Sequence, residues 1–122
     1  MFAKRHSVAL TTDASGDATG YTNAVNGRIH TVRYAKTDFA DGVDFTVTLE
    51  STGETVWAES DVNASATRAP RQATHGTDGA ASLYAATGEP VEGFIVAADD
   101  RIKVVVASGG NAKSGTFHFV VG

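Results

Sequence analysis

The residues that first invite a chemical reading are Gly109-Gly110-Asn111-Ala112-Lys113-Ser114-Gly115-Thr116, which have the outline of a phosphate-binding loop. A Walker-type loop needs Gly directly before Lys, Ser or Thr directly after it, and then a helix whose N-terminal amides hold the phosphate. Here Ala112 precedes Lys113, and Gly115 is followed by TFHFVV, which alternates as a strand. The segment is therefore expected to be a β-hairpin. Its arms are RIKVVVAS (101–108) and TFHFVVG (116–122), and its long loop draws backbone freedom from Gly109, Gly110 and Gly115. Lys113 is then solvated at the tip, where it can meet an acidic partner.

The remaining constellations are tested in the same way. His6, His30, His75 and His118 are scattered, with no pair at the i, i+2 or i, i+4 spacing of a local metal site. Asp38, Asp41 and Asp44 surround Gly42 three apart, whereas a calcium loop wants acids at alternate positions and a distal Glu. No serine sits in a G-x-S-x-G elbow, and no cysteine is present as a nucleophile, thiolate ligand or disulfide half. Glu50, Glu54, Glu59 and Glu92 read as solvated acids rather than a glycosidase pair. Trp57, Tyr34, Tyr84 and Tyr21 can stack on sugars, but rings of this kind more often fill cores and interfaces. No catalytic, cofactor-binding or metal-ligating residue is assigned.

Two features suit adhesion better than reaction. Arg68 and Arg71 flank Pro70 inside the small, polar, Gly-rich segment 60–82, and His75 follows. A stiff loop carrying guanidinium groups is suited to an acidic protein surface. Lys4 and Arg5 lie in MFAKRH (1–6), expected to be a flexible arm that orders on a partner. The expected contact residues are thus Lys4, Arg5, Arg68, Arg71, His75 and Lys113.

The elements that must carry these residues read as strands. Thr and Val are abundant, and branched side chains fit a pleated surface better than a helix. VDFTVTLE (43–50) is the clearest strand, with Val43, Phe45, Val47 and Leu49 on one face. Gly53 closes a hairpin to TVWAES, and Asn26-Gly27 reads as a second hairpin turn. RIHTVRYAK (28–36) alternates with neither face purely apolar. HSVALTT, a weaker ATGYTNAV, TRAPRQA and SLYAAT add further strand candidates. VEGFIVAA (91–98) is expected to place Phe94 and Val96 on one side, with ADD as a turn. About eight short strands with longer crossovers predict a single all-β domain over 1–122. The expected form is a two-sheet antiparallel sandwich of jelly-roll or Greek-key type.

A net charge of −4 argues against nucleic acid or an anionic membrane as the main partner. No apolar run approaches the roughly 20 residues of a membrane helix. The VAL after Arg5 is too short for a signal peptide core, so synthesis in the cytoplasm is expected.

APRQATH (69–75), GAASLYAATGEPV (79–91) and ADDRIKVVVASGGNAKSGTFHFVVG (98–122) resemble a family of small structural proteins of tailed phages and prophages. SVALTTDASGDATGYTNAVNGRI (7–29) resembles the start of the same proteins, and the likeness is weakest over 34–62. The resemblance implies a non-enzymatic head decoration, or cement, protein on the virion capsid surface. It further implies major capsid protein as partner, a dimeric or trimeric assembly, and no cofactor. The alternative is a tail or surface component that binds host glycan or another tail protein.

Overall fold

The computed structural model describes residues 2–122. These form eleven strands: β1 (Lys4–Thr11), β2 (Ala18–Tyr21), β3 (Val25–Lys36), β4 (Asp44–Leu49), β5 (Thr55–Glu59), β6 (Ala66–Arg68), β7 (Arg71–Ala73), β8 (Glu92–Phe94), β9 (Val96–Asp100), β10 (Ile102–Ala107) and β11 (Ser114–Val121). One sheet runs β1-β11-β3-β6, with β9 also paired to β3; the second runs β2-β10-β4-β5. Every pairing is antiparallel. The all-β antiparallel sandwich expected from alternation is what the chain forms.

The core lies between the two sheets. Val8, Leu10, Ile29, Val32, Tyr34, Phe117, Phe119 and Val121 come from the first sheet, and Phe45, Val47, Leu49, Ile102, Val104 and Val106 from the second. Phe45 is its hub. Its ring meets Tyr34 at 4.6 Å and Phe117 at 4.8 Å, both edge-on, and Trp57 at 5.4 Å. Edge-on pairs of this kind add about 0.5–1.5 kcal/mol beyond the area they bury.

Several expectations need correction. The excess over eight strands comes partly from breaks inside expected ones. TRAPRQA divides at Ala69-Pro70 into β6 and β7, and VEGFIVAA divides at Ile95 into β8 and β9. Ile95 and Ala97 are the buried residues there, while Val96 is 56% exposed, so the face is opposite to that expected. Asp99 and Asp100 end β9 instead of forming a turn. Asp100 accepts from Ser51 Oγ at 2.6 Å and from the Ser51 amide at 3.1 Å.

Asn26-Gly27 lies within β3, where it forms an irregularity against β9 with Gly27 at φ 119°. A second irregularity in β3 separates Thr31↔Val120 from Ile29↔Val121. It lets Ile29 and Val32 both face the core although they are three apart. That slip is why neither face of this segment reads as apolar in sequence.

The hairpin expected over 101–122 is not formed. β10 is flanked by β2 and β4, and β11 by β1 and β3, so the connection 108–113 crosses from one sheet to the other. The apolar faces of β10 and β11 oppose each other across the core rather than sharing one sheet surface. Positive φ at Ser108 (60°), Gly110 (87°) and Ala112 (54°) turns the chain over the sandwich end. Thr12 holds the crossing. Its amide donates to Lys113 O at 2.8 Å, and its Oγ1 accepts from the Lys113 amide at 2.9 Å. The Gly53 hairpin between β4 and β5 does form, with Gly53 at φ 75°.

SLYAAT is not a strand. Between β7 and β8, residues 74–91 extend the hairpin as two small turns. Gly76 donates to Ala80 O and Tyr84 to Glu89 O, while Thr74, Ser82 and Val91 bond one another at 2.9–3.0 Å.

Candidate functional site

Strand register assembles one surface that separate segments of sequence do not announce. On the outer face of the first sheet, Arg5, Val120 and Thr31 lie opposite one another across β1, β11 and β3. The next outward row is Ser7, His118, Arg33 and Thr67, and the third is Ala9, Thr116 and Ala35. Because side chains alternate, all of these point away from the core that Phe117, Phe119, Val32 and Tyr34 fill.

The long side chains of Arg5 and Arg33 rise on either side of β11. With Thr31, Ala35, His118 and Val120 they line a depression of about 400 Å³. Ser7 Oγ and His118 Nδ1 are 2.8 Å apart, and Arg33 Nη1 donates to Thr67 Oγ1 at 3.1 Å. No carboxylate side chain lines the depression. Among the described residues neither Arg5 nor Arg33 has an ion-pair partner within 4 Å. With no carboxylate against them, Arg5 and Arg33 keep most of their guanidinium donors for an external group; only Arg33 Nη1 is engaged, by Thr67.

Ser7 and His118 have the spacing of a nucleophile and its base, but no carboxylate orients the imidazole. The row continues instead to Arg33. A triad's third member holds the ring and offsets its positive charge, and a cation in that row opposes both effects. Among the described residues no three His, Asp or Glu side chains gather as a metal ligand set.

The six residues expected to make contacts do not form one patch. Lys4 and Arg5 belong to β1 and pair with Val121 and Val120, so residues 4–6 are strand and not a loose arm. They point to opposite faces, and Lys4 lines a separate depression with Phe2, His6, Ala24, Val25, Asn26 and Val121. Lys113 is exposed on the crossing beyond the far end of β1, roughly 25 Å from Lys4 at about 3.3 Å per strand residue.

Arg68 is held internally. Its Nε and Nη2 donate to the two carboxylate oxygens of Glu59 at 2.8 and 2.9 Å, and Trp57 Nε1 donates to Glu59 Oε1 at 3.0 Å. The Arg68 and Trp57 hydrogen bonds depress the Glu59 carboxyl to about 2. The triad joins β5 in one sheet to β6 in the other. Arg71 is also engaged. It lies 4.1 Å from the centre of the Phe94 ring and donates to the carbonyls of Pro70 and His30, which anchors the base of the 74–91 finger. His75 is exposed on that finger. Of the six, only Arg5 enters the basic depression; Arg33 and His118, which line it with Arg5, are not among the six, although the alternation of the last strand already turns His118 away from Phe117 and Phe119.

The aromatic residues divide similarly. Tyr34 and Trp57 are buried, Tyr21 lies beneath Arg101 at 4.2 Å, and Tyr84 is 77% exposed on the finger. Comparison with protein-family models and with curated proteins finds no match for the chain.

Proposed function

We propose that this chain is a non-enzymatic structural protein of a tailed-phage particle, decorating the head and bridging major capsid subunits. The carrying observation is where its perturbed carboxylates point. The Glu59 carboxyl is lowered by Arg68 and Trp57, the Glu50 carboxyl by Arg101, and the Asp100 carboxyl by Ser51. Each faces a partner inside the same chain that ties one strand or turn to another. Groups tuned for reaction converge on a cleft; these fasten a rigid body.

What remains for an outside partner is adhesive: a basic sheet face, an exposed finger and open strand edges. The resemblance carried by residues 69–75, 79–91 and 98–122 supports a phage particle as the setting. The connectivity is read here as a jelly roll, with β1-β11-β3-β9 facing β2-β10-β4-β5. The edge of β1 can pair across a two-fold to give a dimer, and many copies over a shell turn weak contacts into firm attachment. The exposed Tyr84 favours a second reading, a tail component that stacks on host glycan.

Counting copies in purified particles tests the proposal. A head decoration protein is expected at a number comparable to the coat protein. A number typical of tail parts moves the protein to the second reading, and particles that assemble without this polypeptide remove both.

A further inference from the structure

We propose that the basic depression on the outer face of the first sheet is a docking site for a short acidic segment of a protein partner. Aspartate or glutamate carboxylates of that segment would be held between Arg5 and Arg33 over His118. The inference deepens the docking reading above and rests on it.

Three observations carry it. Arg5 and Arg33 come from strands on the two sides of β11, so their side chains converge from about 10 Å of strand separation onto one groove. The forked guanidinium matches a carboxylate with two parallel hydrogen bonds. The groove floor is short: Val120, Thr31 and Ala35 leave room for an extended backbone between the arginines. Finally, the Ser7 bond to His118 Nδ1 fixes the ring, while Nε2 has no partner among the described residues.

Charge selects the occupant. The chain as a whole carries −4, so an extended polyanion such as a nucleic acid meets repulsion from the rest of the surface within the ~8 Å screening length. A short acidic segment that touches only this face gains the local cations and avoids most of that field.

The test is a titration of the isotopically labelled full chain with a hexaglutamate peptide, followed by amide shifts. No particle is involved, so failure here is separate from failure of the capsid reading. The expected result is a set of shifts confined to residues 5–9, 31–35 and 116–120. Affinity should fall at least five-fold in the R5Q/R33Q double variant and at least three-fold between 50 and 300 mM salt, about as expected for two exposed charge pairs. A K4Q/K113Q variant should bind as the parent does. Shifts centred elsewhere on the parent chain would overturn the proposal without recourse to any variant. Equal affinity of a folded R5Q/R33Q chain would do the same. So would binding of a single-stranded oligothymidylate as tight as that of the peptide.

Discussion

Gly115 offers a quantitative test of how tightly the two sheets close on their aromatic core. It sits in β11 between Leu10 and Lys36, with a backbone that any residue could adopt. The constraint is space. A Cβ there would stand 2.5 Å from Phe39 Cε2, 2.8 Å from Phe39 Cδ2 and 3.0 Å from Tyr34 Cε1. Both rings are buried, and Tyr34 packs in turn on Phe45 and Phe117, so neither can swing into solvent. Forcing a methyl into a packed core costs about 1–3 kcal/mol. At about 4 °C per kcal/mol for a domain of this size, Gly115→Ala should lower Tm by about 4–12 °C. Phe39→Leu withdraws the obstructing ring edge and by itself costs about 1 kcal/mol. The double variant should then recover about 1 kcal/mol or more relative to the sum of the singles. Gly53→Ala is the contrast. Nothing lies within 4 Å of its Cβ, but φ is +75°, so its cost of about 1 kcal/mol is backbone strain. That cost should add to Phe39→Leu within about 0.5 kcal/mol. Chemical denaturation of the three single variants and the two double mutants measures all of these. A neutral Gly115→Ala, or strict additivity with Phe39→Leu, would refute close contact between Phe39 and β11.

Two further outcomes follow from hydrogen bonds. Glu59 has a folded pKa of about 2 against its usual 4.5, so the stability it contributes is complete above about 4.5 and is lost as pH falls toward 2. Glu50 and Asp100 shift in the same direction and form a shared background. Arg68→Gln should therefore flatten the stability profile between pH 4.5 and 2 relative to the parent, as read by urea midpoints. An unchanged slope would show that Arg68 does not hold Glu59 in solution. Thr12→Val, nearly the same in volume, leaves the Lys113 amide and the Gly110 carbonyl without their side-chain partner and should cost about 1–3 kcal/mol. Amide exchange should accelerate first over 108–113, and an unaffected crossing would contradict the role given to Thr12.

Much of the architecture is legible from alternation, and the failures have physical sources. β4 reads correctly because its face is unbroken: Phe45, Val47 and Leu49 are buried and Thr46 is exposed. β3 reads poorly because a slip of register brings Ile29 and Val32 to the same side, and a period of two cannot describe that. The 108–113 crossing has the Gly-rich chemistry of a hairpin loop. Local backbone freedom is the same whether a chain returns to its own sheet or passes to the opposite one; only the partners of β10 and β11 decide. The basic groove was hidden for a related reason. Arg5, Arg33 and His118 are far apart in sequence, and strand register alone aligns them. A faint signal was present in RIHTVRYAK, where Arg33 falls between Val32 and Tyr34 and so turns outward by alternation. The pairing of Arg68 was equally hidden: its loop composition gives no sign that Glu59, nine residues earlier, accepts from its guanidinium.

The finger at 74–91 closes on itself. Its turns satisfy their own backbone groups, and its base is clamped by Arg71 and Phe94, so the sandwich does not depend on what the tip contains. Residues 85–88 beyond the Tyr84–Glu89 bond are consequently a graft point, where a foreign epitope can be spliced without disturbing the scaffold. Were the chain carried in many copies on a shell, as proposed above, each spliced tip would become one element of a dense, evenly spaced array.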